Sequence, residues 1–149
     1  MSGGENILEE LRTAKKTYRR LYKSEISDKQ LVTMATSNAA YAFLLEKITG
    51  RIAAGLSADY VAIRPRVADP YAALVGARLA DVSLVVYRGN PLYGDEAMLP
   101  FFRRFPGEIF RFRVQGAPKI CRYNVPALLD AIRTNVGYKK TLPFLPLVS

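Results

Sequence analysis

Histidine is absent from all 149 residues, and cysteine occurs once, at Cys121. Neutral imidazole is the common ligand of catalytic zinc. A histidine-held metal centre is therefore excluded, as is any triad that needs an imidazole base. Carboxylates alone would have to bind a transition metal, and no Asp/Glu pair in the sequence has recognisable ligand spacing. A single cysteine excludes an internal disulfide framework and suits a reducing cytoplasm. No apolar run approaches the roughly 20 residues of a membrane helix, so no membrane contact is expected. Glu5, Glu9 and Glu10 are unlike the basic-then-apolar opening of a secretory signal, and a cytoplasmic location is the expectation. Internal repeats, low-complexity tracts and phosphate-cradling glycine-rich loops are also missing.

What is present is ordinary globular material. Half the residues are hydrophobic, and the length suits one domain with a real core. The formal net charge is +9 and unevenly placed. Residues 1–100 carry 13 basic and 11 acidic groups, residues 101–149 carry 9 and 2. Such a balance fits an anionic partner or, more simply, a solvated face. No nucleic-acid motif accompanies it, so nucleic-acid binding is not expected.

The first third reads as helix. Ile7, Leu8, Leu11, Ala14, Tyr18, Leu21 and Tyr22 recur at helical spacing, with Arg12, Lys15, Lys16, Arg19, Arg20 and Lys23 on the other side. That basic stripe is either a phosphate-binding face or the solvent face of an amphipathic helix. Ser27-Asp28-Lys29-Gln30 forms a capping box ahead of a helix through Leu31, Val32, Met34 and Ala35. Asn38 is placed to cap a further short helix through Leu44, and Met34 and Tyr41 are expected in the core rather than at a cofactor.

From Gly50 the pattern changes. Gly50 and Gly55 mark turns that need left-handed angles. Tyr60, Val61 and Ile63 favour a strand, opened by Asp59, whose carboxylate is expected to accept N–H groups of the turn before it. Asp69 and Pro70 start a short helix. Val82 to Tyr87 is a buried strand, turned at Arg88-Gly89-Asn90-Pro91 into a returning strand at Leu92-Tyr93. Phe110, Phe112 and Val114 alternate with Arg111, Arg113 and Gln115. One set faces core and the other solvent, which argues against a base-stacking platform. Lys119-Ile120-Cys121 pairs back as a hairpin. Asn124 caps a last helix that buries Leu128, Leu129 and Ile132 and ends at Gly137, and the tail from Leu142 to Val148 is expected to lie extended against the domain.

Several of these stretches together carry a resemblance. Gly50-x-Ile52-x-x-Gly55-x-x-Ala58-Asp59-Tyr60-Val61, then Asp69-Pro70-Tyr71, Asp81-Val82-x-Leu84-Val85 and Gly89-x-Pro91-Leu92-Tyr93-Gly94-Asp95, closely resemble the C-terminal end of metal-dependent amidohydrolases. Leu31-x-x-Met34-Ala35-Thr36-x-Asn38-Ala39-Ala40 and the segment from Ser2 to Leu11 extend the resemblance upstream. The resemblance implies an α+β chain in two parts. Residues 1–48 would be helices from the end of a TIM-type barrel. Residues 49–149 would be half of a urease-like composite β-sandwich with short helices, a C-terminal helix and a tail.

Family members cleave carbon–nitrogen bonds, other than peptide bonds, with a metal-activated water. Their histidine ligands and final aspartate would all lie upstream of Met1, leaving Ser2 to Asn6 nearest the active site. The expectation is a C-terminal fragment of such an enzyme, inactive alone. It would have no catalytic, cofactor-binding or metal-ligating residue of its own, zinc or another divalent metal being implied only for the full-length enzyme. Its partner would be the missing barrel portion, or a second copy through an exposed sheet edge. The alternative is a stand-alone basic interaction module that reuses the sandwich for an anionic partner.

Overall fold

The structure is a computed structural model that describes residues 6–137 and 147–148. Helices come first and sheet second, an α+β organisation. Helix α1 (Ile7–Tyr22) begins where Asn6 accepts the Glu9 N–H and ends at Lys23, which takes a left-handed conformation. Only Leu8 and Leu11 of its apolar stripe are buried. Leu21 and Tyr22, at the end of the helix, stand in solvent.

Helix α2 (Asp28–Ala35) has the expected capping box, Ser27 Oγ accepting from Gln30 N and Gln30 Oε1 from Ser27 N. Helix α3 (Ser37–Ala42) follows after the single residue Thr36. Asn38 therefore lies inside α3 and caps nothing, and the Thr36 hydroxyl donates back to Val32 O. Met34 and Tyr41, expected in the core, are exposed, since α2 and α3 turn those sides away from the sheet.

The glycines at 50 and 55 have φ of 98° and 83°, as the turns required. Strand β1 (Tyr60–Ile63) ends before Pro65. Helix α4 (Pro70–Gly76) starts with Asp69 accepting from Ala72 N. A 3-10 turn at Leu79–Asp81 leads into β2 (Val82–Tyr87), which returns through Arg88 and Gly89 into β3 (Asn90–Asp95). Asp59 accepts a hydrogen bond of 2.6 Å from Arg88 N, at the tip of that facing hairpin. The expected capping thus comes from a turn 29 residues away rather than from its own.

A 3-10 turn at Glu96–Met98 continues into α5 (Leu99–Phe102). Strands β4 (Phe110–Val114) and β5 (Ala117–Cys121) form the second hairpin. Helix α6 (Val125–Val136) is capped by Asn124 and ends at Gly137, yet it buries no residue, and Leu128 is exposed. Residues 142–146 of the expected extended tail lie outside the described residues, while β6 (Leu147–Val148) pairs with β4.

The strands form one six-stranded antiparallel sheet in the order β1-β2-β3-β5-β4-β6. β2 lies inside the sheet between β1 and β3, and its Leu84 and Val86 pack with Phe102 and Ile120 in a core cluster. Leu8 joins Ala77 and Val82, and Leu11 joins Leu31 and Val75, so α1 is held to α4, β2 and α2. The Arg12 guanidinium also donates to Ala77 O at 2.5 Å. No described helix is long and apolar enough to cross a membrane.

Candidate functional site

The sequence assigns no catalytic, cofactor or metal residue, so the site has to be sought where the fold gathers chemistry. Three places stand out. The first is a buried charged staple at one end of the sheet. Lys119 is withdrawn from solvent, and its ammonium donates to Ala80 O at 2.8 Å, Val82 O at 2.6 Å and Asp95 Oδ1 at 2.6 Å. Asp95 takes a second cation, Arg64, at 2.7 Å on its other oxygen.

Beside this staple, Arg66 reaches both oxygens of buried Asp81, which also accepts from Arg78 N. The Arg66 hydrogen bonds, helped by the Arg78 N–H, hold the Asp81 carboxyl below the usual carboxylate range against the opposing effect of burial. Tyr93 lies over the Lys119 ammonium, its phenol pushed up by burial and then by Asp95 and Cys121. Burial likewise raises the Cys121 thiol, so it stays protonated at neutral pH and is no nucleophile. Every donor of Lys119 is occupied, and Asp95 and Asp81 face cations. This staple fastens β5, β3 and the turn before β2; it does not present a reactive group.

Sequence reasoning read Lys119 as one residue of a hairpin strand and missed its burial. The signal lies in the β3–β5 pairing that sets Asp95 opposite Lys119, a long-range register with no local trace.

The second place is an open cleft of about 580 Å³ lined by Lys16, Arg19, Arg20, Lys23, Ser24 and Glu25. It sits on the second half of α1, where Lys16, Arg19, Arg20 and Lys23 are exposed. Arg19 pairs with Glu25 at 3.1 Å.

The third is a run of exposed apolar side chains at the end of α3 and in the loop after it. Phe43 is 77%, Leu44 82% and Ile52 87% exposed, with Tyr41 and Ile48 also in solvent. Leu44 holds φ of 58°, a left-handed angle that a leucine adopts only at a cost.

The family resemblance implies a divalent metal, and the described residues do not fit one. No group of three or more His, Cys, Asp or Glu side chains among them is placed to hold a metal ion. Asp28 faces Lys15, Asp59 and Asp69 cap backbone N–H groups, Asp81 and Asp95 face arginine and lysine, and Glu96 pairs with Arg111. These carboxylates are already satisfied, so none is left as an open donor for a cation. Of Ser2 to Asn6, only Asn6 is described, as the α1 cap.

A sequence profile of the amidohydrolase family matches residues 2–92, from ahead of α1 into β3. No curated protein matches the chain significantly. The matched span includes α1 to α3, β1, α4 and the interior strand β2, which is more than half of the sequence, and on that ground the chain belongs to the amidohydrolase family.

Proposed function

We propose that this chain is the C-terminal portion of a metal-dependent hydrolase acting on carbon–nitrogen bonds other than peptide bonds. It completes the fold of that enzyme and supplies none of its metal ligands. The observation that carries the reading is the run of exposed apolar side chains at Phe43, Leu44, Ile48 and Ile52. Large apolar side chains left exposed close together along the chain are the kind of surface that a partner covers. Here it lies within the stretch matched to the family and beside a strained leucine. A histidine-bearing barrel polypeptide seated on that face would bury it and provide the activated water that this chain cannot generate. In this reading Phe43 and Leu44 are anchors.

The test has two parts. The genomic region upstream is sequenced, and the polypeptide encoded there is co-expressed with this chain. The expected result is a stable complex with bound divalent metal and amide-, lactam- or amine-hydrolysing turnover. The chain alone should retain less than one zinc after dialysis and show no turnover. Metal-dependent hydrolysis by the purified chain alone would overturn the proposal. A chain that neither binds the upstream product nor exposes its apolar face in solution would favour the second reading, a basic interaction module. The observation favouring that alternative is the cationic cleft on α1.

A further inference from the structure

Part of the charge that the sequence concentrates after residue 100 is tied up inside the fold. Residues 101–149 hold most of the positive excess, yet Lys119 is buried. Arg122 donates to the carbonyls of Phe102, Phe105, Gly107 and Glu108. Arg111 and Arg133 face Glu96 and Asp130. On α1 the opposite holds. Lys16, Arg19, Arg20 and Lys23 fall at i, i+3, i+4 and i+7, so all four lie on one face of the helix. They line a single open cleft with Ser24, and Glu25 offsets only Arg19. Cations near a helix C-terminus complement its dipole, but that effect fades beyond the last turn. It leaves Lys16 unexplained.

We propose that this cleft binds a small ligand carrying a di- or triphosphate. The inference does not rest on the hydrolase reading. Lys16, Arg20 and Lys23 repel one another unless an anion lies between them, and the Ser24 hydroxyl adds a neutral donor at the cleft's end. The face spans about 10 Å, seven residues at the helical rise. That matches two or three neighbouring phosphate groups. Further along α1 the basic stripe is already engaged, Lys15 by Asp28 and Arg12 by Ala77 O, so the free cations are confined to this one cleft rather than strung along a nucleic-acid track.

Titration calorimetry of the full chain at fixed ionic strength tests this with inorganic tripolyphosphate, pyrophosphate and sulfate. Affinity should fall in that order. Combined Lys16→Ala, Arg20→Ala and Lys23→Ala substitution should weaken tripolyphosphate binding by about tenfold or more. Glu25→Gln should tighten it roughly threefold by removing the one opposing charge. Neutralising Lys47, Arg103 and Arg104 removes as much charge elsewhere and should leave binding within about twofold. All these side chains are exposed, and circular dichroism confirms that each variant folds. Equal weakening by the two triple variants, or sulfate binding as tightly as tripolyphosphate, would overturn the proposal. So would a short single-stranded oligonucleotide that binds more tightly than tripolyphosphate and loses its binding in the α1 variant.

Discussion

An ammonium taken out of water costs several kcal/mol unless hydrogen bonds and an opposite charge replace the lost solvent. Lys119 has both, two carbonyls and the Asp95 carboxylate, each within 2.8 Å. Replacing it with Met keeps the volume but strands those acceptors. Lys119→Met is expected to lose about 3 kcal/mol, which for a chain of this size lowers the melting temperature by about 10 °C in calorimetry. Asp81 gives the complementary case. Its folded-state pKa lies below the ordinary value of about 3.9, chiefly because of the Arg66 hydrogen bonds. A depressed carboxylate contributes stability above the unfolded pKa and loses it as pH falls through the folded one. Asp81→Asn should therefore cost about 2–3 kcal/mol near neutrality. In urea unfolding, the gap between wild type and variant should stay constant from pH 7 to about 5 and close below about 4. A gap that widens in acid would contradict this account.

Between elements, glycines mark where backbones come closest. At Gly50, φ of 98° already disfavours any side chain, and an added Cβ would fall inside the van der Waals surface of Ala40 Cβ. Gly50→Ala should thus destabilise by about 2–3 kcal/mol or force α3 away from the loop, read as a lower urea midpoint. This turn was legible in the sequence, because a left-handed glycine between a helical and a strand pattern is a local signal. The same holds for the Ser27–Gln30 capping box, the Asp69–Pro70 start of α4 and the Gly137 stop of α6. Burial was less legible. Leu128, Met34 and Tyr41 have the residue type and spacing of core positions and face solvent. Which side of a helix is covered depends on a neighbour that the helix's own sequence does not specify. The staple escaped for the same reason, since Asp95 meets Lys119 only after β3 and β5 pair.

For the whole molecule, the decisive competition is between uncovered apolar surface and net charge. Strand β2 is covered by β1 on one side and β3 on the other, and Val82, Leu84 and Val86 are buried. The open edge is β1, where Tyr60 and Val61 remain exposed and no described strand pairs on the far side. An unpaired edge invites another chain, and Phe43, Leu44 and Ile52 expose further apolar surface. A few hundred Å² of apolar surface left in water forfeits on the order of several kcal/mol at about 25 cal/mol per Å², comparable with the net stability of a domain. The +9 charge opposes association, but salt screens it beyond roughly 8–10 Å, and several of its cations are paired internally. Burial should win. The isolated chain is expected to self-associate at micromolar concentration in sedimentation, with a melting temperature that rises with concentration. Phe43→Asp combined with Ile52→Asp should shift it towards monomer without lowering its helix content, because both side chains stand in solvent and support no core contact. A wild-type chain that sediments as a compact monomer, melting independently of concentration, would show that this face needs no partner.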